Sequence, residues 1–281
     1  MLFQKNALTQ AKKAIDQADL ILIGAGAGLS EAAGLHYAGE RFETLFADYI
    51  AAYGLTDMFT ATFYPYPTPE TKWAFWARHI YYNAIAPEAT ALYKNLFQLV
   101  KDKPHFVITT NVDSQFTKAG FASDSLFEVQ GNYELWQCSI PCQQKTYANT
   151  EQVLELFQAT QNLEIPSQLI PHCPDCGAEM MPHLRSDNRF VQDESWHQAL
   201  KRYGAFIEQF DGKRIVLLEL GVGFNTPDII RFPFERLTQA SDHATLIRLN
   251  RDFAQGYPEN AKKTLSFKED MTTILASWLE R

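Results

Sequence analysis

Four successive apolar residues, Leu20-Ile21-Leu22-Ile23, run without interruption into a glycine-rich turn, Gly24-Ala25-Gly26-Ala27-Gly28-Leu29-Ser30. A strand that is apolar at every position has no solvent face, so it belongs inside a parallel sheet covered on both sides. Glycines at its end allow a sharp turn into a helix, expected over residues 30–33. They also let the backbone approach a pyrophosphate, whose charge is met by free amides at the helix start. The turn departs from the usual G-x-G-x-x-G pattern, because Leu29 holds the third glycine position. Glu43 and Asp48, about 20 residues on, fall in a helical stretch and not at a second strand end, so neither is assigned to a ribose. Alone, the turn fits a nucleotide site and a plain strand–helix corner equally well.

The rest of the pattern repeats this alternation. Residues 6–17 place Ala7, Leu8, Ala11, Ala14 and Ile15 at helical spacing. Residues 40–53 and 70–84 read as aromatic-rich helices, with an irregular proline-rich turn at 63–69 between them. A helix over 88–100 precedes a strand at 105–108; strands follow at 214–220 and 244–249, and the last helix covers 268–279. Such alternation predicts an α/β fold, a Rossmann-like parallel sheet with helices on both faces. Polar or glycine-rich residues close several strands: Thr109-Thr110-Asn111-Val112-Asp113, then Gly221-Val222-Gly223-Phe224-Asn225, then Asn250. Ligands of such sheets bind outside the strand carboxyl ends, so these sites can share one crevice. The plain alternative is that Asn111 and Asp113 cap a helix beginning near Ser114.

All four cysteines lie within about 40 residues, as Cys138-x3-Cys142, a 30-residue gap, and Cys173-x2-Cys176. Two close pairs suit a tetrahedral zinc bound by four thiolates, a structural site because no position is left open for water. Gly177 after the second pair permits the positive-φ geometry of a metal knuckle. Two disulfides are the alternative and fit poorly with an intracellular chain. A helix at 151–160 lies between the pairs. No apolar run approaches the roughly 20 residues that span a bilayer; the longest, 215–224, is interrupted by Glu219. The start, Met-Leu-Phe-Gln-Lys-Asn, lacks a signal-peptide stretch, so a cytoplasmic location is expected. Net charge is −8 with a pI near 5.4 and no basic stripe, so neither nucleic-acid nor membrane binding is expected.

Glycine turn, Asn-x-Asp pair and a third run, Phe127-Glu128-Val129-Gln130-Gly131-Asn132, resemble in that order the NAD-binding core of the sirtuins. The likeness extends from about residue 19 to 279. It implies one catalytic domain over 1–281: a Rossmann-like part at about 1–35, 86–131 and 212–281, a helical insertion at 36–85 and a zinc module at 132–182. It implies NAD contacts from Gly26, Ala27, Gly28, Ser30, Thr110, Asn111, Asp113, Gln130, Gly221, Gly223, Asn225, Asn250 and Asp270. Asn111 would hold the nicotinamide end and ribose hydroxyls, and Asp113 the carboxamide. Asn111, Asp113 and Gln130 are the expected catalytic residues.

Three departures qualify the likeness. Gln130 stands where deacetylating sirtuins carry a histidine base. The stretch after the glycine turn reads Tyr37-Ala38-Gly39 in place of Asp-Phe-Arg. The apolar acyl-lysine edge becomes a charged, amide-rich run at 183–193. Together they resemble the class M, macrodomain-linked sirtuins. That resemblance implies mono-ADP-ribosylation of a lipoylated, glycine-cleavage-H-like carrier protein, with the mark removed by a macrodomain ADP-ribosyl hydrolase. Cleaving the nicotinamide–ribose bond passes through an oxocarbenium-like state and needs positioning more than a base. Gln130 can orient a ribose hydroxyl but has no proton to exchange near neutral pH. A lysine deacylase using another base, His36 or His183 first, and a non-catalytic NAD sensor stay open as alternatives. His79 and His105 read as structural.

Overall fold

The computed structural model describes residues 2–280, with side chains from residue 6 onward. Nine strands form two sheets: β1 (Leu20–Ala25), β2 (His105–Thr109), β3 (Leu126–Glu128), β4 (Gly131–Cys138), β5 (Thr146–Ala148), β6 (Met180–Leu184), β7 (Ile215–Leu220), β8 (Ala244–Leu249) and β9 (Thr264–Phe267). The larger sheet has the order β3-β2-β1-β7-β8-β9, and every pairing in it is parallel. This is the expected Rossmann-like sheet. The smaller is antiparallel, β5-β4-β6.

Side chains of the central strands alternate between two cores, as a pleated strand requires. Ile21, Ile23, Val216 and Leu218 face the helices Leu2–Gln17, Ala91–Val100 and Met271–Leu279. Leu20, Leu22, Phe106 and Leu217 face the helices Glu194–Ile207 and Arg231–Ala240, two elements beyond those expected from the sequence. A third core joins the helical insertion to the cysteine-bearing sheet, where Trp73 meets Trp136 edge-on at 5.1 Å. Among the described residues no helix is long and apolar enough to cross a membrane.

Local chemistry explains where the expected elements shift. The stretch 40–53 is two helices, Glu40–Leu45 and Ala47–Tyr53, divided at Phe46 (φ −128°, ψ 23°). Pro69–Ile80 begins after Thr68, whose hydroxyl accepts the Thr71 amide, and continues as a π-helical turn, Tyr81–Ile85. The next helix starts only at Ala91, and the last at Met271, where the Asp270 carboxylate accepts the Thr273 amide at 2.8 Å. Strands β3 and β9 have 3 and 4 residues, too few to show a period in sequence.

Glu219 interrupts an apolar strand for a reason found on β8. Its register partner is Arg248, which holds both Glu219 oxygens from Nε at 2.7 Å and Nη2 at 2.8 Å. Arg231 reaches Glu219 at 3.2 Å, and Arg248 also meets Glu235 at 2.9 Å. All four side chains are buried. The spare donors of Arg231 and Arg248 go to carbonyls of Phe253 and Gln255, tying down the loop after β8. Removing one member strands a buried charge, so Glu219→Ala is expected to cost about 3–5 kcal/mol in urea unfolding. An unchanged midpoint would refute that role for the cluster.

Candidate functional site

The carboxyl ends of β1, β2, β7 and β8 open on one crevice of about 1570 Å³. Its innermost wall is a contact between two turns. Gly28 donates its amide hydrogen to the Gly221 carbonyl at 3.0 Å, and Gly26 donates to Leu220. A Cβ on Gly221, which has φ +62°, would lie 2.3 Å from the Leu29 nitrogen, and one on Gly28 would lie 2.9 Å from the Gly221 Cα. These glycines are therefore required by each other's backbone, before any ligand is considered.

The crevice brings together every residue expected to contact NAD, from Gly26 to Asp270. Their side chains differ in what they leave free. Thr110 and Ala25 bond through their backbones, holding the β2 end against the glycine turn. Asn225 and Gly223 lie in the open arm of the turn after β7, where nothing stands within 4 Å of a Cβ built on Gly223. The Asn250 amide is already engaged, donating to the Val222 carbonyl and accepting the amides of Asp252 and Phe253, so it builds the wall it lines. Asp270 caps the last helix while facing the crevice.

At the β2 end the hydrogen bonds have a fixed direction. Ser30 Oγ donates to Asp113 Oδ2 at 2.5 Å, the length of a charge-assisted bond. Ser30 Oγ is then free to accept from Tyr93 Oη at 3.0 Å, which in turn accepts the Asn111 Nδ2 at 3.1 Å. The amide of Asn111 is thereby oriented, and its Oδ1 has no partner among the described residues. Asp113 Oδ1 accepts the Gln115 amide at 3.1 Å, so the helix-capping role and the crevice role fall on the two oxygens of one carboxylate. Burial raises the Asp113 pKa, opposed by the Ser30 hydroxyl. Glu128, beside it, is pushed up to about 7 by burial, against the Asn132 amide that binds both its oxygens.

Gln130 sits between β3 and β4 with its side-chain nitrogen 3.3 Å from Thr226 Oγ1 and its backbone carbonyl accepting the backbone amide of Arg185. Gly131 beside it has φ +97°, and a Cβ there would lie 1.9 Å from the His183 carbonyl, so glycine fixes how closely β4 approaches β6. His183 itself does not line the crevice: Nε2 bonds the Val191 carbonyl at 2.8 Å and the ring stacks on Phe190. Burial lowers its pKa. His36 is exposed on the crevice rim. His79 is fully buried and, with burial as the main cause and Arg41 adding to it, titrates only at about 3. Phe59, Phe63, Trp76, Met181 and Arg185 also line the crevice.

None of the four cysteines lines the crevice. Their four sulfurs lie within 4.8 Å of one another, and Cys138–Cys176 and Cys142–Cys173 are each 3.6 Å apart, one partner from each pair. Four thiolates bound at about 2.3 Å to one zinc stand roughly 3.8 Å apart, so the cluster fits a structural zinc site. Gly177 takes φ +75° and donates to the Cys173 carbonyl, closing the knuckle.

Tyr93, Tyr133, Glu128 and Arg185 also line or brace the crevice, and their sequence context does not mark them for it. Tyr93 lies in the helix expected over 88–100 and Tyr133 in the cysteine-bearing stretch, and no local signal separates a buried phenol with a polar task from one without.

A parallel sheet with paired glycine turns, an Asn-x-Asp strand end and an inserted four-cysteine module defines a nucleotide-binding α/β protein of the sirtuin type. The Sir2 family model matches residues 26–205, and the chain belongs to that family. A Staphylococcus aureus protein named "Protein ADP-ribosyltransferase" is 36% identical over 269 residues, covering 95% of this chain and 85% of that one. A Fusarium oxysporum f. sp. cubense protein, "Probable bifunctional ADP-ribose hydrolase/ADP-ribosyltransferase", is 31% identical over 87% of this chain, which spans 42% of its length. Among solved structures, Sir2Tm bound to a propionylated peptide superposes with a TM-score of 0.61 at 18% identity, covering 97% of each chain. A Sir2–p53 peptide–NAD+ complex gives 0.57 at 17%, again over 97% of each. These two establish the shared fold.

Elemental analysis is expected to find one zinc per chain, and Cys173→Ser to hold close to none; an unchanged metal content in that variant would sink the assignment. His79 makes stability depend on pH. Its folded pKa of about 3 lies below the ordinary 6.5, so the unfolded chain takes up the extra proton first. The contribution is complete above pH 6.5 and is lost as pH falls toward 3, by at most about 1.4 kcal/mol per pH unit. Denaturant midpoints between pH 7 and 4 test this, and a His79→Gln variant should have a flatter profile.

Proposed function

We propose that the protein transfers ADP-ribose from NAD to a protein acceptor. The observation that carries this reading is Gln130: an amide, not an imidazole, occupies the crevice wall beside Thr226. The 36% identity to a protein named as an ADP-ribosyltransferase supports it. In this reading the dinucleotide lies across the strand ends, its pyrophosphate at the paired glycine turns over β1 and β7. The adenosine half reaches toward Asn250 and Asp270, and the nicotinamide riboside toward Asn111, Asp113 and Gln130. From β8 to β3 is four strand spacings, about 19 Å.

The bond from the ribose anomeric carbon to nicotinamide breaks, and nicotinamide leaves with the electron pair. The acceptor's electron pair then bonds to that carbon and its proton goes to solvent. Asn111, oriented through Tyr93, meets the ribose as positive charge develops on it, and the Asp113 carboxyl group lines the same crevice. A deacylase must also activate a ribose hydroxyl as a nucleophile, and Gln130 cannot take that proton. His183 is turned away and buried, which leaves His36 as the remaining histidine on the crevice.

The acceptor we propose is a lipoylated carrier protein related to glycine-cleavage protein H, entering past Phe59 and Arg185 on the crevice lining. The relative that pairs an ADP-ribose hydrolase with a transferase fits a mark that a macrodomain partner removes. Incubating the protein with NAD and the lipoylated carrier should add one ADP-ribosyl group to the carrier by intact mass. Asn111→Ala and Gln130→Ala should each lower the rate by at least about 100-fold. Efficient removal of acyl groups from lysine peptides with no mass added to any protein would favour the deacylase instead. Tight NAD binding with no nicotinamide released would favour the sensor.

A further inference from the structure

A second chain of hydrogen bonds reaches the crevice, and its direction follows from which groups can only donate. It begins at Arg41, which has no acceptor and donates to Asn83 Oδ1 at 2.8 Å. That contact fixes the Asn83 amide, so Nδ2 is the atom facing His79: 2.8 Å from the His79 carbonyl and 3.4 Å from Nδ1. Nδ2 also lies 3.3 Å from Met58 Sδ, and a hydrogen on His79 Nδ1 would point at this donor with no acceptor, so Nδ1 carries the lone pair and Nε2 the hydrogen. The ring is neutral, as its low pKa and the nearby guanidinium require. Nε2 donates to Tyr133 Oη at 2.8 Å. The hydrogen of Tyr133 then goes to Tyr37 Oη, 3.0 Å away. The hydrogen of Tyr37 has no acceptor among the described residues, and Tyr37 lines the crevice.

The position of that last donor is also defined. Tyr133 donates its backbone amide to Val112, the residue between Asn111 and Asp113, and the Asp113 charge is felt at both phenols. Burial holds the Tyr37 phenol protonated, so at neutral pH it is a donor. The loop that carries it is pinned: the Tyr37 carbonyl accepts the Met58 amide at 2.8 Å, and the His36 carbonyl accepts from Arg41 at 2.9 Å. Tyr37 and Asp113 both line the crevice, so its β2 end offers one oriented phenol donor and one carboxyl acceptor. A primary carboxamide needs that combination, because its NH₂ must donate and its oxygen must accept.

We propose that Tyr37 donates a hydrogen bond to the carboxamide oxygen of the nicotinamide, with Tyr133 and His79 as positioning residues that fix the direction of its hydroxyl. The assignment rests on NAD as the bound dinucleotide. Tyr37 thereby discriminates NAD from ADP-ribose, which lacks the carboxamide.

Calorimetric binding of NAD and of ADP-ribose, without acceptor protein, tests it. Tyr37→Phe should weaken NAD about tenfold and leave ADP-ribose unchanged, the latter also reporting that the fold is intact. Tyr133→Phe should weaken NAD by a smaller factor. The double variant should be no worse than Tyr37→Phe alone, because Tyr133 acts only through Tyr37. Equal NAD affinity in wild type and Tyr37→Phe, or an equal loss for both ligands, overturns the proposal while leaving the proposed reaction intact. A wild-type protein that does not bind NAD at all overturns both.

Discussion

Gly28 gives its amide hydrogen to the Gly221 carbonyl, and the bond forms only because neither residue carries a Cβ. That contact joins the turns after two adjacent parallel strands, β1 and β7, at the centre of the sheet. With the two turns locked together, the strand ends on either side have fixed offsets from a common point. Asn111 and Gln130 fall on one flank, Asn250 and Asp270 on the other. The crevice is the space this arrangement leaves, and its length is a multiple of the strand spacing.

Two buried polar systems keep that space in shape, by different physics. On the β8 flank, Glu219, Glu235, Arg231 and Arg248 form a closed ionic cluster whose spare donors seize the following loop. Such a cluster resists rearrangement because every partial opening exposes an unpaired charge to an apolar interior. On the β2 flank the systems are neutral except where they end. One runs from Asn111 through Tyr93 and Ser30 to the Asp113 carboxylate; the other runs from Arg41 through His79 and Tyr133 to Tyr37. In each, a charged group that can only donate or only accept sets the orientation of all the hydroxyls between.

The helical insertion serves this second flank. It shares a core with the cysteine-bearing sheet, Cys138 and Cys173 included, so the four-cysteine cluster backs one side of a wall whose other side supplies His79 and carries the loop of Tyr37. Stability of the module and geometry of the crevice are linked through that shared core.

Much of this was legible in the residues. The apolar run 20–23 fixed a buried parallel strand, and the glycines after it a tight corner. The cysteine spacing announced a metal cluster, and polar residues at successive strand ends converged on one crevice because parallel strands present their carboxyl ends on a single edge. Glu219 could be seen as an anomaly but not explained, since its partner Arg248 is 29 residues away. Short strands and helix starts were missed because three or four residues carry no period and a cap is set by one side chain.

What the sequence determined by itself is whatever depends on neighbours in the chain: strand burial, turn geometry, chelating cysteine pairs, and an amide in place of an imidazole at Gln130. Tertiary structure alone decided which hydroxyls face the crevice and in which direction they donate. Ser30 meets Tyr93 across 63 residues and Asp113 across 83, and Tyr37 meets Tyr133 across 96. A hydrogen bond takes its direction from the whole chain of partners, and those partners come together only when the sheet and the insertion have packed.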